Sequence, residues 1–578
     1  MNNTFKKGMV WSVLTAILLM YSCDDSFLEV PVTGQLDKNV LAGKLGIEAS
    51  LISVYAQVNG RANRMASPSN WVWGSIRGGE ATKGTDPGDF SDINPIQRFE
   101  ALSTQGVIND KYNGMYEGVA RANAVLRLLA SPGPDVTDAL KTSLEAQAKF
   151  LRAHFYFELK RTFGNTPYVD ENIDVGTGIE KVKNDVDLWP KIEADMQFAV
   201  ANLPATQGQV GRVNSWAAKA YLAKIYMYQN KFAPAKALFD DIIANGVTSN
   251  NKKYGLVPNY ANVFKASNDN HEESVWAYQA AANTGSVNNA NPEFDLNWPY
   301  NTGPAGPGNC CGFFQPTFEL GNSFRTDASG LPLLDGSYNT GANQLKTDMG
   351  IESNEAFTPD AGNLDPRLDH SIGRRGIPYL DWQKFPGKSW IRNQPNGGPY
   401  SPKKYVYYKS DQGSLQDNSS WTPGYTAINY TIIRFADVLL MAAEAEIEVG
   451  SLTTALGYIN QVRTRAANSI LMDGAVPAAN YVISNYTTLG DQANARRIVR
   501  MERKLELSGE GHRFYDMMRW GADGKALIRA YIAYEKDKYP SGALSGISFT
   551  DNQDELLPIP QSQIDLLGSD VLKQNPGF

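Results

Sequence analysis

Three stretches of the chain gather residue types that suit a ligand with a flat apolar face and a hydroxyl edge, as a sugar has. Such a ligand needs an aromatic ring for its C–H face and Asp, Asn or Arg for its edge. The first stretch is Ser69-Asn70-Trp71-Val72-Trp73 with Arg77, Asp86, Asp89 and Phe90. On a strand, Trp71 and Trp73 would point to one side, either outward to a ligand or inward to a core. The second runs from Phe294-Asp295-Leu296-Asn297-Trp298-Pro299-Tyr300 to Asn309-Cys310-Cys311-Gly312-Phe313-Phe314. Gly and Pro flank it, so it is expected to be exposed. The third holds Asp381-Trp382, Trp390-Ile391-Arg392-Asn393 and Tyr400. The candidate ligand-binding residues are Trp71, Trp73, Asp86, Asp89, Trp298, Cys310, Cys311, Phe313, Trp382, Trp390 and Arg392. Cys310 and Cys311 are adjacent: in an oxidising location they form either a vicinal disulfide, a compact ring able to stack on a sugar, or two unlinked, partly buried thiols.

Another cluster resembles acid–base machinery. Glu502, Glu506 and Glu510 stand at helical spacing with Arg503 and Arg513 among them. Two carboxylates flanking a glycosidic bond would make a glycoside hydrolase. The arginines argue against it, because neighbouring cations lower carboxylate pKa values and leave no general acid. The cluster is expected to be an ion-pair network holding the last helix to the scaffold. His154 and His512 sit in helical stretches among aromatics, as packed and hydrogen-bonded residues do. The sequence has no HExxH, GxSxG, P-loop or GxGxxG pattern, and the Cys pair lacks zinc or redox spacing. No catalytic residue and no metal site is expected.

The elements that position these residues must come from a long chain. At 578 residues it exceeds the roughly 250–300 at which one core stops growing, so more than one lobe is expected. The net charge of -7, with no basic block, speaks against nucleic acid as a partner. Three Cys exclude a disulfide-stapled scaffold, and four His most histidine-built metal sites. Lys6 and Lys7 precede an apolar run, Met9–Met20, too short to span a bilayer and suited to a signal-peptide core. It leads to Ser22-Cys23, a lipoprotein cleavage pattern despite the large Tyr21, so Cys23 is the candidate lipidation site, followed by Asp24 and Asp25. The alternatives are an ordinary signal peptide or a signal anchor.

Periodicity supplies the scaffold. Trp216–Ile243 reads as two close antiparallel helices, with Ala223 and Ala235 at the contact, the tetratricopeptide pattern. Phe435–Arg465 is a divergent second copy in which Glu446 replaces an aromatic residue. Ala146–Phe163 is amphipathic, ends at Gly164-Asn165-Thr166-Pro167, and pairs with Leu188–Leu203. Arg496–Trp520 reads as one helix, and residues 47–58 and 110–130 as further N-terminal helices. From 246 to 430 periodicity fades and Gly, Pro, Asn and Trp dominate, with Lys404–Lys409 as a candidate short strand. The stretch is too long for a loop and reads as an inserted lobe.

The motif order is similar to that of the RagB/SusD family of Bacteroidetes outer-membrane lipoproteins. It runs Phe27-Leu28-Glu29-Val30-Pro31, Arg121-Ala122-Asn123, Arg152-Ala153-His154 and Gly211-Arg212-Val213. Gln315-Pro316-Thr317, Asp365-Pro366-Arg367-Leu368 and Arg434-Phe435-Ala436-Asp437 follow, then Glu502-Arg503 through Glu510-Gly511-His512-Arg513 and Gln574-Asn575-Pro576-Gly577-Phe578. The resemblance implies a mainly α fold: a tetratricopeptide-like scaffold with a loop-rich second lobe carrying short strands. The expected layout is a signal peptide at 1–22, a helical region with binding loops at 23–245, the insert at 246–430 and a helical region at 431–578. It also implies a surface lipoprotein that binds a glycan, or in some cases a peptide, and acts as the lid of a SusC-like TonB-dependent transporter, with no enzymatic activity and no cofactor.

Overall fold

The computed structural model describes residues 38–60, 65–291, 296–308, 310–419 and 424–578. The signal segment and Cys23 lie outside them, as do Phe294, Asp295 and Asn309. Among the described residues no helix is long and apolar enough to cross a membrane.

The fold is mainly helical, as expected. α1 (Lys44–Gln57), α2 (Gly106–Ala130), α3 (Asp138–Phe163) and α4 (Trp189–Asn202) pack in succession. α5 (Ser215–Tyr228) and α6 (Phe232–Asn245) form the first tetratricopeptide-like pair; α7 (Phe435–Val449) and α8 (Leu452–Ala467) form the second, and α7 packs on α6. Gly164, with φ +75°, ends α3, a conformation that favours glycine. Glu446, the odd residue of the second pair, has a local role. Its carboxylate accepts from Ser451 N at 2.7 Å at the start of α8 and pairs with Lys236 of α6 at 2.9 Å.

The resemblance motifs turn out to be inter-element locks. Arg152 of α3 donates to both oxygens of Asp195 on α4 (2.7 and 2.8 Å) and to Asn123 Oδ1 on α2 (2.8 Å). His154 is packed, its Nδ1 2.9 Å from the Tyr221 hydroxyl, and burial pulls it down to about 3.

The stretch 496–520 is a correction. It divides into α9 (Gln492–Glu506) and α10 (Arg513–Arg519), followed by α11 (Ala522–Glu535). Gly509 and Gly511, with φ of +73° and +75°, turn the chain between α9 and α10. His512 therefore caps α10 instead of lying inside a helix.

This turn anchors a buried charge network. Arg434 pairs with Glu273 (2.7 Å), Glu506 (2.6 Å) and Glu510 (2.8 Å). Arg465 reaches Glu273 and Glu506, Arg367 reaches Asp365, Glu502 and Glu506, Arg463 reaches Glu502, and Lys404 reaches Glu510. Arg503 pairs with Asp437 and Asp516. Arg513 is the exception to the expected set: its buried Nη1 has no hydrogen-bond partner among the described residues. Burial alone would raise the Glu506 carboxyl, but Arg465, Arg434 and Arg367 outweigh it and hold it at about 2.

Strands are short and paired in twos. β1 (Ala81–Gly84) runs antiparallel to β3 (Phe313–Pro316), β2 (Ser274–Tyr278) to β6 (Tyr430–Arg434), and β4 (Ile372–Gly373) to β5 (Ser401–Pro402). The expected strand at 404–409 is absent. The chain turns there, with Tyr405 at φ +61°, and Tyr407 instead donates to Pro307 O at 2.6 Å.

Glu506 tests the network. Because its folded pKa is depressed, its stabilisation is present above the pH near 4.5 where a free glutamate titrates, and is lost as pH falls toward 2. Glu506→Gln leaves three arginines short of a partner and should cost about 3–5 kcal/mol at neutral pH. Urea unfolding should show that loss and a flatter acid dependence between pH 4.5 and 2. A variant as stable as the parent would mean the network contributes no stability.

Candidate ligand-binding site

The β1–β3 ladder joins the first two aromatic stretches. Ala81 pairs with Pro316, Thr82 with Gln315 and Gly84 with Phe313. Past its end, Thr85 N donates to Gly312 O at 2.6 Å. The third stretch joins through Asn396, whose Nδ2 donates to Gly84 O (3.0 Å) and Thr85 O (3.2 Å).

Arg392 then closes a polar cluster at the surface. Its Nη2 lies 2.5 Å from Asp86 Oδ2; its Nη1 lies 2.5 Å from Asp89 Oδ2 and 2.9 Å from the Thr85 hydroxyl. All three charged side chains are about one-third exposed. The turn Asp86-Pro87-Gly88-Asp89 fixes the carboxylates, because Asp86 Oδ1 accepts from Gly88 N and Asp89 N, each at 2.9 Å. Behind it, Lys83 is buried and donates to Asp86 O (2.8 Å) and Asp89 O (2.5 Å). Burial lowers its ammonium to about 8, against the upward pull of Asp89 and Asp86.

Apolar surface borders this cluster. The Arg392 guanidinium lies 5.5 Å from the centre of the half-buried Tyr300 ring. Cys310 and Cys311 are disulfide-bonded, Cys310 half-buried and Cys311 buried. The next residue, Gly312, has φ +74°, and a Cβ there would sit 3.0 Å from Tyr300 Cβ; glycine permits this close approach. Phe90 is half-buried against Phe313.

The structure corrects the expected exposure of most of the indoles. Trp71 (3% exposed), Trp73 (1%), Trp298 (1%), Trp390 (4%) and Phe313 (1%) lie inside. Trp71 does not sit on a strand. It opens a π-helical turn, Trp71–Ile76, with all six residues buried. Gly74 lets that turn meet the Gly511 backbone, since a Cβ at Gly74 would come within 1.8 Å of Gly511 O. Trp73 Nε1 donates to Met65 O, Trp71 meets Phe313 and Phe314 edge-on, Trp298 packs on Tyr407, and Trp390 packs on Tyr379 and Phe385. The physical reason is area: loops without regular strands bury enough apolar surface only by folding their largest rings inward. Trp382 is half-buried, its Nε1 3.3 Å from Tyr407 O, and is not among the residues contacting Arg392. Of the candidates, Asp86, Asp89 and Arg392 converge, with the half-buried Cys310 nearby in the loop of Gly312, while Cys311 lies inside like the indoles. Lys83, Thr85 and Asn396 were missed, and Tyr300 lay in the second stretch without being selected; the Gly- and Pro-rich turns beside Thr85 and Tyr300 were the available signal.

Two cavities lie elsewhere. A cleft of about 370 Å³ is lined by Ile52 and Tyr55 of α1, Arg212, and Trp276 to Ala281, and a shallow groove of about 830 Å³ runs along α8. Neither includes a residue of the Arg392 cluster. Among the described residues no group of three or more His, Cys, Asp or Glu side chains is arranged to hold a metal ion. The arrangement offers a half-buried ring and Cys310 beside a charged hydrogen-bonding edge.

Burial makes the indoles structural. Trp298→Ala should lower unfolding free energy by about 3–5 kcal/mol, read by urea denaturation. A Trp298→Ala protein of unchanged stability would return this ring to the candidate ligand contacts.

Comparison with known proteins adds the family. The model described as "SusD family" matches residues 272–578, and one described as "Starch-binding associating with outer membrane" matches 56–227. The SusD-like protein P2 of Formosa agariphila is 25% identical over 533 residues, covering 90% of this chain and 92% of that one. A solved laminarin binding SusD-like protein superposes with a TM-score of 0.64 at 23% identity, covering 93% of this chain and 100% of its own. Surface glycan-binding protein A from Bacteroides thetaiotaomicron, in complex with laminarihexaose, gives 0.61 at 21% identity, with 92% and 99% covered. With more than half of its residues, including the whole charge network from Glu273 to Glu510, inside the first match, the chain belongs to the SusD family.

Proposed function

We propose that this chain is a cell-surface glycan-binding lipoprotein that captures oligosaccharide and delivers it to a SusC-like TonB-dependent transporter as its lid. The observation that carries the ligand class is the convergence of three loops on one exposed rim: Tyr300 and the Cys310–Cys311 disulfide beside Asp86, Asp89 and Arg392. The Tyr300 ring, with the half-buried Cys310 sulfur beside it, suits the C–H face of a sugar, and the fixed carboxylates suit its hydroxyls. Two neighbours in fold whose names refer to laminarin or laminarihexaose support the same class. The family description supports association with the outer membrane, and the Ser22-Cys23-Asp24-Asp25 pattern supports lipid anchoring there.

The carboxylates of the charge network and of the rim support binding rather than turnover. Glu506 and Glu510 are held low by arginines after the upward push of burial, so neither keeps a proton to give a leaving group. The exposed Asp86 and Asp89 share one guanidinium and lie on a single turn.

Affinity electrophoresis against a panel of polysaccharides, laminarin and starch included, tests this reading. At least one should retard the protein. Tyr300→Ala combined with Arg392→Ala should weaken that binding about tenfold or more, equivalent to about 1.4 kcal/mol, without loss of the folded state. Unchanged affinity in the double variant, capture of peptides with no glycan bound, or release of new reducing ends would each contradict it.

A further inference from the structure

Resting on the reading of the rim as the glycan site, we infer that the Asp86–Arg392–Asp89 cluster selects uncharged glycans and rejects uronate- or sulfate-bearing ones. The single exposed guanidinium of the rim is already matched by two carboxylates and by the Thr85 hydroxyl. A planar guanidinium receives an acid best through two parallel N–H donors, and here Nη1 and Nη2 already serve Asp86, Asp89 and Thr85. Among the described residues the ion pairs at this rim involve no other cation. Lys83 lies behind the turn, buried, with its ammonium on the carbonyl oxygens of Asp86 and Asp89.

An incoming carboxylate or sulfate therefore meets two fixed negative charges beside a guanidinium that is already paired. To reach Arg392 it must displace Asp86 or Asp89, and each is tied by more than the ion pair. Asp86 Oδ1 accepts two backbone N–H groups of its own turn, and Asp89 Oδ2 accepts from Thr85 Oγ1 at 3.1 Å. A sugar hydroxyl has no such conflict, since it can donate to either carboxylate while Arg392 stays in place. The cluster is thus a specificity element: it fixes hydrogen-bond acceptors and withholds the cation.

The test uses calorimetry with hexagalacturonate as the acidic probe, on the parent protein, on Asp86→Asn/Asp89→Asn, and on that double variant carrying Arg392→Gln as well. Asparagine keeps the shape of the turn and removes both charges. The parent should bind hexagalacturonate at least tenfold more weakly than the double variant. The gain should shrink with added salt and disappear with Arg392→Gln. Thermal melts confirm folding, and Asp89→Asn alone serves if the double variant does not fold. Equal affinity of parent and double variant for hexagalacturonate, or no gain in any asparagine variant, overturns the inference. A parent that binds a neutral glycan through Tyr300 and Arg392 yet takes hexagalacturonate equally well removes only this selectivity. Neutral-glycan binding indifferent to the Tyr300 and Arg392 substitutions removes the site itself.

Discussion

Arg434 in contact with Glu273, Glu506 and Glu510 is the interaction on which the rest of the structure depends. A guanidinium with 1% side-chain exposure cannot remain unpaired, so its three carboxylates must arrive together from distant parts of the chain. Glu273 stands just before β2, Arg434 closes β6, Glu506 ends α9 and Glu510 lies in the following turn. The network therefore ties the start of β2 and the end of β6 to the end of α9. It also holds the 507–512 turn in a single place. Such a network is weak evidence for net stability, because desolvation opposes the attraction. Its consequence here is positional.

From that turn the constraint passes to the surface through backbone contacts. Gly511 and Gly74 touch with no room for a Cβ, which fixes the Trp71–Ile76 turn, and Gly509 N donates to Glu80 immediately before β1. β1 pairs with β3, and their ends present the Asp86 turn and the Cys310–Gly312 loop. The buried indoles brace this path from beneath. The rim residues need little mobility of their own, which limits the ordering cost of binding a ligand.

What the residues revealed in advance followed from periodicity. The helix pairs at 215–245 and 435–467 were legible because an apolar stripe sustained at helical spacing fits an amphipathic helix and no strand. The break at Leu507–His512 was not, since apolar and charged spacing continues across it; only Gly509 and Gly511 marked it. Strands of two to five residues carry no period to read, which is why Lys404–Lys409 misled. The site was legible by region. Asp86, Asp89, Arg392 and the Cys pair were selected for their chemistry, and the vicinal disulfide was one of two open readings. The tryptophans misled because an indole in a Gly- and Pro-rich loop looks the same in sequence whether it faces a ligand or fills the space under one. Tertiary packing decides between these, and Tyr300, a smaller ring beside Gly312, took the place at the rim.

The central claim is that a rigid scaffold presents one preformed rim to a sugar. Hydrogen–deuterium exchange with and without a bound oligosaccharide tests it most directly. The account predicts protection confined to residues 84–90, 298–314 and 390–396, with the scaffold helices unchanged. Protection centred on the cleft between α1 and β2, or spread through α5 to α8, would contradict it.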